Sequence, residues 1–255
     1  MKLIDFNCDM GEGFGAWRMG PDEEIMPYVS SANVACGGHA GDPNVMTATV
    51  RLAGFYGVAV GAHPGYPDLQ GFGRRFIRFT PDEVARFVLY QMGALWAICR
   101  AEGVELMHVK PHGALYNAAS TDRELADAVV GAVRAFSAEL PLYCLPGSAL
   151  ERAAREQGLW VVSEGFADRA YEPNGLLADR SLPGAVLTSP QQVAAQAVAL
   201  ASGQVAARDG TPLALQVGTI CIHSDTPGAA RNARAVSAAL KAGGFAIAHP
   251  RAGRG

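Results

Sequence analysis

The stretch IDFNCDMGE, residues 4–12, reads as a β-strand that ends in a knot of ionisable and glycine residues. Period-two geometry places Asp5, Asn7 and Asp9 on one face and Ile4, Phe6 and Cys8 on the other. The same division recurs down the chain. Ala59, Gly61 and His63 share a face in 59–63, and Leu106, His108 and Lys110 share one in 105–110. Trp160, Val162 and Glu164 do so in 160–164, and Val217, Thr219, Cys221 and His223 in 217–223. Each strand carries its last ionisable residue on one particular face. An unpaired charge buried on such a face costs several kcal/mol or changes its protonation, so partners, water or a ligand have to meet it.

Five apolar runs close in polar knots: Asn7 to Glu12, Cys36 to Asp42, Gly61 to Pro64, Val109 to Gly113 and Ile222 to Asp225. A weaker sixth is Glu164 followed by Asp168-Arg169. Strand-length runs fall near 2–8, 31–36, 58–62, 105–109, 142–145, 160–164, 214–222 and 245–248, with helical stretches between most of them. Asp42-Pro43 opens a helix with an N-cap and a first-turn proline, and Thr80 with Glu83 forms a capping box. Further helices are expected at 121–138, 148–157, 190–202 and 226–242. Strands alternating with helices imply a parallel sheet with right-handed crossovers. Seven or eight units favour a closed or distorted β/α barrel, and the carboxyl ends of its strands converge on one mouth. This is the pattern of an enzyme.

Composition narrows the alternatives. At 255 residues and 49% hydrophobic content the chain can bury a full core, and no linker divides it. One α/β domain over 1–250 is expected, with 251–255 as a frayed tail. A net charge of −3 without a basic stripe argues against nucleic acid. No apolar run reaches membrane-spanning length, and the first residues lack a signal-peptide core. Five scattered cysteines with no CxxC spacing fit a reduced, cytoplasmic setting. Neither GxGxxG nor a P-loop follows any strand.

The histidines His39, His63, His112 and His223 and the carboxylates Asp9, Asp42, Glu164, Asp168 and Asp225 suit two chemistries. One is a metal site that activates water. The other is metal-free acid–base catalysis, with a His/Asp or Lys/carboxylate pair tuned toward neutral pH. His108 and His112 stand four apart, but Pro111 and Gly113 break the helix that would bring them together. The metal-free reading is therefore preferred, a divalent ion stays second, and no residue is assigned as a ligand. His108 and His249 read as core histidines, and Cys36 and Cys221 as small buried hydrophobes rather than nucleophiles. The loop Gly71-Phe72-Gly73-Arg74-Arg75 offers two cations that suit a carboxylate or phosphate.

Six stretches carry a resemblance: NCDMGEGFGAW (7–17), SSANVACGGHAGDP (30–43), GVAVGAHPGYPDLQGFGRR (57–75), HVKPHGALYN (108–117), EGFADRAY (164–171) and TICIHSDTPGA (219–229). In this order they resemble the LamB/YcsF family, the A-subunit group of bacterial ATP-dependent 5-oxoprolinases. Gly38 stands where the family often has a bulky residue and Ser224 where it usually has glycine. The resemblance implies a distorted barrel similar to those of glycoside hydrolases and polysaccharide deacetylases. It implies lactam hydrolysis of 5-oxoproline to L-glutamate coupled to ATP hydrolysis, with subunits B and C as partners and ATP bound by some part of the complex. Homo-oligomerisation stays open. The competing readings are a stand-alone metal-dependent deacetylase and a non-catalytic binding subunit. On this basis Asp9, His63, Lys110, His112 and Glu164 are the catalytic candidates, with Lys110 stabilising negative charge and His112 as acid or base. Asn7, His39, Arg75, Asp168, Arg169, His223 and Asp225 are the candidates for binding substrate.

Overall fold

The computed structural model describes residues 2–253. Six parallel strands come first: β1 Lys2–Met10, β2 Ser31–Ala35, β3 Ala59–His63, β4 Leu106–Val109, β5 Leu142–Cys144 and β6 Val161–Phe166. An antiparallel hairpin follows, β7 Gln204–Ala206 with β8 Pro212–Ala214, and then β9 Thr219–His223 and β10 Phe245–Ile247. Strand β9 pairs with both β6 and β1, which closes a seven-stranded barrel. The expected strand over 214–222 is thus divided between the hairpin and the barrel. The nine-residue β1 serves two neighbours along one edge: β10 beside Lys2 to Ile4, and β9 beside Asp5 to Asp9.

Helices fill the crossovers: α1 Asp22–Ile25, α2 Pro43–Tyr56, α3 Pro81–Ala101, α4 Gly113–Thr121, α5 Arg123–Phe136, α6 Ala149–Glu156, α7 Pro190–Ala201 and α8 Ala229–Ala242. Asp42 caps α2 by accepting from the Asn44 and Val45 N–H groups, and Thr80 and Glu83 cap α3 reciprocally. The helix expected over 121–138 is α5, and α4, which was not expected, ends just before it. Asp122 leaves helical geometry at the end of α4, and its carboxylate accepts from the Glu124 and Leu125 N–H groups to start α5. Residues 250–253 form a 3-10 turn, and the Arg251 guanidinium lies 2.9 Å from Glu105 and 3.0 Å from the Glu139 carbonyl. Residues 254 and 255 lie outside the described residues.

Both faces of β1 are buried. Ile4, Phe6, Cys8 and Met10 pack into the apolar layer under the helices, while Asp5, Asn7 and Asp9 point into the lumen. The lumen is consequently a polar column. At its base the Asp5 carboxylate accepts four hydroxyl hydrogen bonds of 2.6–2.9 Å, from Ser30, Ser31, Tyr143 and Thr219. Above it, Asn7 donates to Glu164 and Thr219 and accepts from Asn33, whose own carbonyl takes a hydrogen bond from His108 at 2.8 Å. His108 crosses the lumen because Gly61 makes room: a Cβ there would stand 2.0 Å from its Nε2. His108 is buried as expected, but its partner is a side chain of the column rather than backbone.

Candidate active site

The polar column ends in charged residues at the carboxyl ends of the strands. Lys110, one residue beyond β4, sends its ammonium 2.8 Å from Asp9 Oδ1, 3.0 Å from Glu164 Oε1 and 2.9 Å from Cys221 Sγ. Burial opposes its charge, but Asp9, Cys221 and Glu164 hold its pKa well above the usual lysine range. Burial would likewise raise Asp9, yet His63 and Lys110 bring its carboxyl well below the ordinary value. Burial pushes Glu164 up, with Lys110 pulling the other way. Cys221 is neither a bystander in the apolar layer nor a nucleophile. It accepts from Lys110, and burial lifts its thiol well above the usual range. The three ammonium protons of Lys110 thus have three protein acceptors, which makes Lys110 the clamp on Asp9 and Glu164 rather than a free charge for substrate.

Three histidines meet on one side. His63 Nδ1 donates to the Lys110 carbonyl at 2.7 Å, and His112 Nε2 donates to the Phe72 carbonyl at 2.8 Å. The remaining nitrogens, His63 Nε2 and His112 Nδ1, face each other at 2.9 Å. His39 stacks on His112 with ring centroids 3.5 Å apart. Burial, reinforced by the neighbouring histidines, keeps His39 and His112 well below the usual imidazole range. Phe72 holds its carbonyl in place with a φ of +54°, a conformation rarely adopted by bulky residues. Gly73 lets this loop lie against the histidines, since a Cβ there would come within 2.7 Å of His112 and His39.

Across the mouth, Asp168 takes both the backbone N–H and the Nδ1 proton of His223, at 2.9 and 2.9–3.0 Å. Burial would raise Asp168, but His223 beside it keeps the carboxyl below its usual value. His223 Nε2 is left as an acceptor, 3.8 Å from Asp9 Oδ2.

These groups border a cavity of about 410 Å³ whose wall includes Asp9, His63, Lys110, His112, Arg169 and His223. Asn7, His39, Glu164 and Asp168 stand behind that wall, and Asp225 sits at the rim, paired with Arg74. Arg75 does not reach the site. It pairs with Asp68 and borders a separate surface groove beside Trp17, while Arg74 lines the cavity in its place. Arg180 joins Arg74 and Arg169 there. His112 Nε2 donates to the Phe72 carbonyl and its Nδ1 is turned to His63 and Glu12, so the imidazole placed to take a proton from the cavity is that of His223.

Glu12 belongs to the first polar knot but was not among the candidates drawn from the sequence. Its carboxylate is buried, 3.2 Å from His39 Nε2 and 3.4 Å from His112 Nδ1. Burial, then repulsion from Asp9 and Asp225, raises its pKa well above the usual range. One donor atom each from Glu12, His39, His63 and His112 lie within 4.8 Å of one another, a set compatible with a divalent metal ion.

Residues 4–254 match the family model described as the LamB/YcsF family. The chain belongs to that family. Among LamB/YcsF relatives, a 5-oxoprolinase A subunit of Chloroflexus aggregans is 57% identical over 98% of this chain and 100% of its own. One from Thermus thermophilus is 52% identical over 96% and 98%. The crystal structure of a lactam utilization protein from Thermus thermophilus superposes with a TM-score of 0.92 at 51% identity, covering 97% and 99%. A GH113 β-1,4-mannanase, at a TM-score of 0.51 and 12% identity over 94% and 99%, shares the barrel fold alone. The expectation of a barrel like those of glycoside hydrolases is met.

Proposed function

We propose that this chain is the A subunit of an ATP-dependent 5-oxoprolinase, which opens the lactam of 5-oxo-L-proline to give L-glutamate. The observation that carries the reading, beside relatives of that name, is a buried cation facing the cavity. Arg169 is only 5% exposed, its Nε has no hydrogen-bond partner, and it forms no ion pair among the described residues. Burial, then repulsion from Arg180, pulls its pKa down to about 10. A buried guanidinium in that state calls for an anion. The carboxylate of 5-oxoproline meets the need, and the lactam then lies against Asp9 and the histidines.

A five-membered lactam is a poor electrophile that readily re-forms. Phosphoryl transfer from ATP to the amide oxygen makes the carbonyl attackable and disfavours reclosure. This chain's strand ends carry no P-loop, so nucleotide binding is assigned to the partner subunits, B and C. Within this chain, Asp168 fixes the His223 tautomer with the proton on Nδ1, and Nε2 accepts a proton from the attacking water. The imidazolium so formed stands between Asp168 and Asp9, which stabilises it. The free buried thiols Cys8, Cys36, Cys99, Cys144 and Cys221 suit a reducing cytoplasm.

The test is reconstitution. The purified chain alone, given ATP and 5-oxoproline, is expected to release no glutamate, and the chain combined with its partner subunits to release glutamate and ADP together. ATP-coupled turnover by the single chain would overturn the division of labour. Silence of the full set, or deacetylation of a sugar without ATP, would overturn the activity itself. Within the complex, Arg169→Met removes one charged hydrogen-bonding partner worth about 1.5–3 kcal/mol. The KM for 5-oxoproline should therefore rise roughly 10–100-fold with a smaller change in kcat. An unchanged KM would place the substrate carboxylate elsewhere.

A further inference from the structure

His63 and His112 confront each other with two lone pairs. A carbonyl only accepts, so the contacts to the Lys110 and Phe72 carbonyls fix the protons at His63 Nδ1 and His112 Nε2. In the neutral rings the facing nitrogens, 2.9 Å apart, are then both bare. Lone pairs at that distance repel, and a positive species belongs between or beside them. Glu12 adds to the demand. Its carboxylate is 3% exposed, its Oε2 has no partner, and among the described residues it pairs with no lysine or arginine.

One proton shared by the two imidazoles relieves the first difficulty but supplies a single positive charge to two carboxylates, Glu12 at 3.4 Å from His112 Nδ1 and Asp9 at 3.3 Å from His63 Nε2. A divalent cation relieves both. The contacts among the donor atoms, His63 to His112 at 2.9 Å and Glu12 to His112 at 3.4 Å, have the right spacing. Ligands about 2.0–2.2 Å from one ion and roughly 90–110° apart are separated by about 2.8–3.6 Å. We infer that Glu12 Oε1, His63 Nε2 and His112 Nδ1 bind a divalent first-row transition-metal ion, with His39 stacked on His112 beside them rather than as a ligand. Two imidazoles and one carboxylate select a zinc-like ion over magnesium or calcium, which take oxygen ligands. The two backbone carbonyls are the outer contacts that fix ring orientation in metal-binding histidines. The second acidic cluster, Asp9, Cys221 and His223, carries no such inference because the Lys110 ammonium already sits against Asp9 and Cys221. His63 and His112 also line the cavity, so the ion would sit in its wall, where it can polarise a carbonyl or a water.

This inference does not rest on lactam hydrolysis, because binding is read on the chain itself. The untagged chain is stripped with chelator, then titrated with Zn²⁺ and Co²⁺ by calorimetry, with bound metal counted by elemental analysis. One equivalent per chain is expected, with Co²⁺ giving visible absorption and either ion raising the Tm where Mg²⁺ does not. Glu12→Gln and His112→Asn should each weaken binding by more than the roughly 10–100-fold cost of losing an outer-shell contact. Arg75→Gln, remote from the cluster, should bind like wild type. Should a variant fail to fold, the wild-type stoichiometry and thermal shift still decide. Less than about a tenth of an equivalent bound with no rise in Tm, or variants that fold and bind like wild type, would overturn the site and leave a shared proton between His63 and His112.

Discussion

Lys110→Met is expected to lower the melting temperature of the chain by roughly 6–20 °C. The ammonium is 2% exposed and stands between two buried carboxylates, 2.8 Å from Asp9 and 3.0 Å from Glu164. Removing one member of such a group costs about 3–5 kcal/mol, because the remaining charges stay buried without compensation. For a domain of this size each kcal/mol moves the midpoint by about 2–4 °C. Methionine retains the length and apolar stem of lysine, so the loss measures charge rather than a cavity. The pH dependence has a definite sign. Asp9 is held below the ordinary carboxylate value in the wild type by His63 and Lys110, against the effect of burial. That contribution is present above the unfolded-state pKa of about 4 and is lost as pH falls through the lower folded value. In the variant the lysine no longer opposes burial, so protonation of Asp9 and Glu164 relieves the strain. The gap between wild type and variant should be widest at neutral pH and narrow on acidification. Thermal melts across that range check it; a variant that melts within about 2 °C of wild type at pH 7 would mean the carboxylates are neutral and the clamp is misread.

How far this site was legible in the sequence depended on distance from a strand. The alternation in 4–9 put Asp5, Asn7 and Asp9 on one face, and that face is the lumen. The same rule found His63, Lys110, Glu164 and His223, because a strand with a fixed period of two leaves each side chain only two directions. It also placed Cys221 on the lumen face. What alternation cannot give is the partner across the barrel, so the contact with Lys110, 111 residues away, was invisible. Beyond the last strand residue the rule expires. Glu12 turns inward because Gly11 adopts a φ of +66° and donates its N–H to Asp22, neither of which is a periodic signal. Arg74 and Arg75 are adjacent in a loop without a period, and only the backbone at Phe72 and Gly73 decides which one faces the cavity. A hint was present in Gly71-Phe72-Gly73, whose small residues mark a loop that must pass close to something.

The largest loss of activity is expected at the dyad opposite the histidine cluster. His223→Ala should lower ring opening by the reconstituted complex by roughly 10²–10⁴-fold, the usual worth of a positioned acid–base group. The imidazole is 9% exposed and on the cavity wall, so its removal should cost the fold only a few degrees of Tm. Asp168→Asn probes the same function without touching the ring that meets substrate. The carboxylate accepts the Nδ1 proton at 2.9–3.0 Å, whereas an amide can instead donate there and turn the proton onto Nε2. Nε2 would then have no lone pair for water, and kcat should fall by a comparable factor while KM changes little. The two residues act as one unit, so the double variant should be scarcely slower than the worse single variant. Independent contributions would instead multiply. If His223→Ala keeps near-normal turnover, the base is not His223, and the proton must go to Asp9 or to the His63–His112 pair. A multiplied loss in the double variant would show that Asp168 acts on something other than the tautomer of His223.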